Sequence, residues 1–468
     1  MGAVGTVRDI GSRLELFVDS YLVDRLIGCR QVLGRPHYEG RALNFDAPWE
    51  GLFAGNITVF IADGIYRMYY RGMPTSQADG SDVECTCYAH SVDGIHWVKP
   101  DLSLYERCGT RHNNVVLAGE TPCSHNFCPF LDTRPGVPEE ERFKAVGGVH
   151  PGGLVAFASA DGVRWRRLRP EPVITHEAFA FDSQNVPFWS ESEQCYVCYY
   201  RIWRPDPENP AMSFRWVART TSEDFIHWTP GQEMGCDQPI REHIYTQQTH
   251  PYYRAPHIYL SLAARFWPDK RVLTDEHVAR LGVAEGYYSD VSDGVLMTSR
   301  GGDLYERKFM ESFLRPGPGL ENWVSRTNYP ALGVVPTSPT EVSLYAHRNY
   351  AQHTSHAARF SLRIDGFAAV QAGYGGGEMV TQPLRFSGSR LVLNYATSAA
   401  GEVRVELQDA AGQPLPGFAL EECAPIVGDE IEREVAWRGG PDVAALAGQV
   451  VRLRFALKDA ELYSLRFR

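Results

Sequence analysis

At 468 residues the chain is too long for one compact core, and a 12% aromatic content suits a globular protein rich in sheet. The net charge of −11 argues against a nucleic-acid footprint and against attraction to an anionic membrane. No apolar run is long enough to span a bilayer, and the first residues lack the basic and apolar regions of a signal peptide, so a cytoplasmic protein is expected.

The apolar run Leu14 to Leu22 reads as a strand that closes or braces the larger domain, which makes 1–40 a segment packing on that domain. Beyond it, a short strand runs five times into Asp-Gly or a close variant. These turns are Ser91-Val-Asp93-Gly94-Ile-His-Trp97, Ser159-Ala-Asp161-Gly162-Val-Arg-Trp165, Ser222-Glu-Asp224-Phe225-Ile-His-Trp228, Gly302-Asp303-Leu-Tyr305 and Asp365-Gly366-Phe367. The aspartates step by 68 (93 to 161), 63 (161 to 224), 79 (224 to 303) and 62 (303 to 365). Asp-Gly between apolar runs is a hairpin signal, because the turn needs positive φ. The period fits one four-stranded sheet plus loops, and five such sheets set radially make a β-propeller.

Strands counted around each turn give four per blade. They are 58–62, 65–71, 84–91 and 95–99, then 128–131, 142–147, 154–159 and 163–168, then 186–189, 195–202, 214–221 and 225–229. The fourth blade takes 251–253, 257–266, 294–298 and 304–309, and the fifth 331–335, 341–347, 358–363 and 367–371. Residues 275–281 read as the one helix, inside the insertion that stretches the fourth step. After a Gly-rich stretch, 391–395, 402–407 and 450–455 alternate cleanly. The expected organisation is all-β: a five-bladed propeller over 41–372 and a β-sandwich over 379–468.

Ten cysteines raise the question of metal or disulfide. Cys85/Cys87 and Cys195/Cys198 lie within strands, so they read as buried thiols, as do Cys123 and Cys128 around His125. No cofactor or metal site is expected.

If the Asp-Gly hairpins join strands three and four, the opposite rim carries the segments leaving strand two and those leading into strand one. Leaving strand two, four blades place an arginine: Arg71, Arg201, Arg265 and Arg348. Two readings are open, solvated strand ends or a basic ring for an anionic ligand. The segments leading into strand one carry Trp49, Glu50, Asn56, Asn126, Asp182, Gln184, His250 and Arg326. Amides, acids and aromatic faces together suit a hydroxyl-rich ligand.

On this five-fold period and the Ser91-Val-Asp-Gly-Ile-His-Trp97 phrase, residues 40–370 resemble the five-bladed-propeller glycosidases, the superfamily of glycoside hydrolase families 32, 43 and 130. The Ser-x-Asp-Gly-x-x-Trp phrases are also similar to the sialidase Asp-box, one residue shorter. What the resemblance implies is hydrolysis of a glycoside or oligosaccharide in the axial pocket, with carboxylates ahead of the first strands of the early blades. Matching puts Asn56 and Asn126 where acids stand in the family, and leaves Asp182 near the usual general acid.

Asp182 is therefore the first catalytic candidate, with Glu50 or His250 as partner and Glu341 or Asp132 behind them. Arg71, Arg201, Arg265, Arg348, Asn56, Asn126, Gln184 and Trp49 are the candidates for substrate binding. The alternatives are a carbohydrate-binding propeller without catalysis, or a sugar lyase or transferase. The expected partner is a carbohydrate, with no nucleic acid and no membrane; self-association stays open.

Overall fold

The computed structural model describes residues 6–206, 208–209 and 211–468; the start of the N-terminus, 1–5, on which part of the signal-peptide reading rests, lies outside them. Two compact units divide the chain: Pro36–Ser361, and the residues up to Arg35 together with Leu362–Arg468.

Pro36–Ser361 holds five four-stranded antiparallel sheets, the blades of a β-propeller. The first runs from Gly55–Ala62 through Ile65–Gly72 and Cys85–Ser91 to Val115–Leu117. The second and third begin at Cys128–Leu131 and Val186–Ser190. In the fourth, His243–Thr246 and Thr249–Tyr252 both pair with the long strand Ala255–Trp267. The helix Asp275–Leu281 lies in the following insertion, capped by Thr274 and ended by left-handed Gly282.

Outer strands depart from those expected. The first and third blades end on Val115–Leu117 and Gln232–Glu233 rather than 95–99 and 225–229. Leu304–Tyr305 of the expected 304–309 pairs with Gly235–Cys236 in a separate two-stranded sheet, and the fifth blade departs furthest. Its outer strand is His37–Asn44, paired antiparallel with His356–Arg363, so a segment from the start of the chain completes the sheet. The expected fourth strand, 367–371, instead pairs as Ala368–Ala372 with Cys29–Leu33 in the other unit. The fifth Asp-Gly turn is thus no blade hairpin. Buried Asp365 accepts hydrogen bonds from Asn394 Nδ2 (3.2 Å) and Ser464 Oγ (2.9 Å) within that second unit.

The first three turns share one local construction. Asp93 Oδ1 accepts from the backbone N–H groups of Ile95 and His96, both at 2.8 Å, and Asp161 and Asp224 repeat the pattern. These turns also tie neighbouring blades. Tyr69 of the first blade donates to the Gly162 carbonyl of the second at 2.8 Å, and Tyr345 of the fifth donates to the Gly94 carbonyl of the first. Each hydroxyl is buried, so the bond satisfies two groups that water cannot reach.

The second unit contains one ten-stranded sheet, dominated by Leu391–Asp409 and Val451–Phe467. The alternation read from the sequence is its inside–outside pattern, and Leu393, Val405, Leu453, Phe455 and Leu465 share one core. The run Leu14 to Leu22 belongs to this unit, where Glu15–Leu16 pairs with Val451–Phe467 rather than with a blade.

Candidate functional site

All five blades contribute to one pocket at the propeller axis. Gly55, Asn56, Asn126, Asp182, Ser183, Tyr245, Arg326 and Tyr329 come from segments at the inner strands. Arg71, Met73, Gln77, Asp79, His347 and Tyr350 follow second strands, and Tyr287 comes from the insertion of the fourth blade. No residue of the Asp-Gly turns lines it. The hairpins and the pocket therefore lie at opposite ends of the strands.

A tight backbone delivers these side chains. Asn56, Asn126, Phe181, Gln248 and Asn328, one from each blade, all have positive φ, between 48° and 71°. Asparagine tolerates this left-handed conformation better than most residues, which accounts for its recurrence here. The amides then interlock around the axis. Asn56 Nδ2 donates to Asn126 Oδ1, and Gln248 Nε2 to Gln184 Oε1 at 2.7 Å. Gln184 in turn reaches Thr58 Oγ1 at 2.5 Å. Gln184 is fully buried and does not line the pocket; its place is among the axial amides rather than on a ligand.

Two carboxyl groups meet in the pocket. Asp79, on the loop after Gly72, hydrogen-bonds Asp182, which Arg201 Nη2 engages from the other side. Burial is the largest single influence on the Asp182 carboxyl and pushes it up, but the Arg201 charge, the Asp79 contact and His125 together hold it below the ordinary range. Asp79 moves the other way. Although the residue reaches solvent, loss of water around its carboxyl raises its pKa; His125 opposes this and the Asp182 charge reinforces it. A hydrogen bond between two carboxyls needs a proton on one of them, and the opposed shifts make Asp79 the weaker acid of the pair.

Beneath them, His125 Nδ1 meets Glu84 Oε2 at 2.9 Å while its Nε2 faces Asn126 Nδ2 at 2.7 Å. Asn126 Oδ1 is left to accept from Arg71 Nη1 at 3.2 Å. The chain Glu84–His125–Asn126 thus fixes which way the pocket amide points. Asp79, Glu84 and His125 offer ligand atoms within 4.8 Å of one another, a set able to hold a cation, although both His125 nitrogens already have partners.

Several expected site residues stand elsewhere. Glu50 is fully buried and accepts from Tyr70 OH (2.5 Å), Lys99 Nζ (2.7 Å) and the Ala47 N–H (2.9 Å), so it braces the first blade. Trp49 Nε1 donates to Asn114 at 2.8 Å, outside the pocket. His250 lies on an inner strand with Nδ1 on the Gln248 carbonyl at 2.9 Å; burial lowers its pKa, and it does not face the pocket.

The arginines do not form a ring. Arg71 lines the pocket, and Arg201 backs Asp182. Arg265 pairs with both oxygens of Asp293 at 2.8 and 2.6 Å, and Arg348 donates to the carbonyls of Pro316 (2.5 Å) and Arg315 (3.4 Å). Both lie outside the pocket. Asp132 takes Lys144 Nζ (2.5 Å) and Tyr196 OH (2.6 Å), and Glu341 takes Arg359 (2.5 Å), so neither joins the site. Asp79, Tyr287 and Tyr350 had no periodic position to give them away. Only the length of the loops after the second strands of the first and fourth blades hints at them.

No protein-family model matches the chain, and neither does any curated protein. Solved structures do. A protein described as a glycoside hydrolase is 11% identical, with a TM-score of 0.48 over 70% of this chain and 92% of its own. A family 43 arabinoxylan arabinofuranohydrolase from Bacillus subtilis is 12% identical, with a TM-score of 0.41 over 90% and 96%. An N-acetylgalactosamine deacetylase from F. plautii is also 12% identical, with a TM-score of 0.44 over 72% and 96%. The five-bladed architecture implied by the sequence resemblance is present, and it rests on the strand pairing itself.

Proposed function

We propose that this propeller is a carbohydrate-active enzyme that hydrolyses a glycoside or oligosaccharide bound in its axial pocket. The observation that carries the reading is the contact between Asp79 and Asp182, two carboxyls whose surroundings push their proton affinities apart. Asp79, the weaker acid of the two, is suited to protonate the leaving oxygen. Asp182, held ionised by Arg201, is suited to act as base or nucleophile on the opposite side of the sugar. As folded, the two carboxyls touch, closer than the roughly 5–10 Å of working glycosidase pairs. A glycosidic oxygen entering between them must part them, and the exposed loop that carries Asp79 is the element able to move.

The second reading is a carbohydrate-binding propeller without catalysis. It is favoured by Asn56 and Asn126, an amide pair at positions where the resemblance implies acids. We also read the ten-stranded sheet of the other unit, with its two long bent strands, as a β-sandwich.

Incubating the protein with a panel of aryl glycosides and oligosaccharides tests the hydrolytic reading. Turnover is expected on at least one, reduced about 10²–10⁴-fold by Asp79→Asn and by Asp182→Asn. Binding without turnover across the panel would leave the second reading standing.

A further inference from the structure

We infer that the sugar taken by this pocket carries an anionic group, a carboxylate or a sulfate, held between Arg71 and Arg326. The inference rests on the pocket being a glycoside site and adds the charge of what it recognises.

Both guanidinium groups line the pocket, and neither forms an ion pair among the described residues. Arg71 spends its donors on neutral acceptors: Asn126 Oδ1 (3.2 Å), the Phe53 carbonyl (3.2 Å) and Tyr350 OH (3.4 Å). Its Nε is buried without a partner. Arg326 lies over the rings of Tyr287 (5.3 Å) and Tyr245 (5.7 Å), and its charge acts on the Tyr350 hydroxyl from its own side. One phenol oxygen thus sits between two cations, a place that an anionic oxygen would occupy with more gain.

Three other arginines of the propeller have the direct counter-charge that these two lack, whereas buried Arg348 is held by carbonyls and Asn328. Arg201 meets Asp182, Arg265 meets Asp293, and fully buried Arg307 meets Glu242 at 2.5 Å. Buried charges are as a rule paired, because desolvation is costly without a counter-charge. Glu84 and Asp79 act on Arg71, and Asp290 on Arg326, only through their fields, and no acid pairs directly with either arginine among the described residues. Asp182 is matched by Arg201, Asp79 lies against Asp182, and Glu84 accepts from His125. A ligand must then bring the negative charge, and guanidinium forks fit the planar carboxylate and the sulfate oxygens alike. Tyr245, Tyr287 and Tyr350 add ring faces for the sugar body, and Tyr329 adds a buried hydroxyl with no partner.

Calorimetric titration of the full chain with matched sugars is the test: glucuronate against glucose, and galacturonate and galactose 6-sulfate against galactose. At least one anionic sugar should bind about tenfold or more tightly than its neutral counterpart. That margin should shrink as salt is raised, and Arg71→Gln and Arg326→Gln should each remove it. The carboxylate and sulfate arms say which group is preferred. Should a Gln variant melt early, Arg326→Lys, which keeps the charge and loses the fork, is read in its place and should keep part of the margin. Equal affinities, no binding of any anionic sugar, or folded variants that keep the full margin would overturn the inference. Anionic binding with no glycoside ever cleaved would sink the hydrolytic reading alone. Cleavage of neutral glycosides indifferent to Arg326→Gln would sink the clamp alone.

Discussion

Asp79 hydrogen-bonds Asp182 across the axial pocket, joining a loop of the first blade to the segment that leads into the third. About a hundred residues separate them in the chain, and they differ in what stands behind them (a guanidinium for Asp182, a histidine and solvent for Asp79). That difference turns two like groups into an acid and a base.

The pair makes a pH prediction with a definite sign. Asp79 has a pKa above its ordinary value of 3.8, so its contribution to stability is complete below that value and is lost as pH rises through the folded one. Asp182 has a pKa below 3.8, so its contribution is present above that value and is lost as pH falls. Asp79→Asn should therefore melt higher than the parent at pH 7, with a smaller gap at pH 4. Activity should follow a bell-shaped profile whose alkaline limb disappears with the pair. Melting curves at the two pH values check the first part, and the opposite order would refute it.

Glu50 separates structure from catalysis. Its carboxylate is fully buried against Lys99 and Tyr70. Glu50→Gln should cost about 3 kcal/mol of stability, the usual penalty for breaking a buried pair. Turnover per folded molecule should stay unchanged, as denaturant titration alongside kcat will show.

Arg348 offers a contrast with the pocket arginines. It is buried among the Pro316 and Arg315 carbonyls and Asn328. Arg348→Ala should remove about 2 kcal/mol of stability, leaving those acceptors without a donor, and should leave KM alone. A raised KM with unchanged stability would return Arg348 to the binding machinery.

The tyrosines that tie the blades make an additive pair. Tyr69→Phe and Tyr345→Phe each free a buried turn carbonyl, of Gly162 and Gly94, at about 1 kcal/mol. The two interfaces share no partners, so the double variant should lose the sum. Chemical denaturation of the three variants measures it.

The Asp-Gly turns were legible because everything that makes them lies within a few residues: Ser91, Asp93, Gly94 and the N–H groups of Ile95 and His96. The spacing of the first four marked successive blades, while the fifth, at Asp365, belongs to the other unit, and their phase carried the face on which the pocket opens. The strand-two arginines show the limit of such reasoning. Their sequence positions match, yet Arg71 faces the pocket while Arg265 and Arg348 are taken up by Asp293 and by carbonyls from distant loops. Nothing near Arg265 in the chain announces Asp293.

By itself, then, the sequence determined the inner strands of most blades and the Asp-Gly turns that follow their third strands, because hydrogen bonds between near neighbours and the alternation of apolar residues write these into local order. Only the tertiary structure decided that His37–Asn44 completes the last blade, that Asp79 meets Asp182, and that Arg71 and Arg326 come together in the axial pocket. Those outcomes depend on which groups far apart in the chain are brought within a few ångströms, where Coulomb forces and lost water set each proton and each partner.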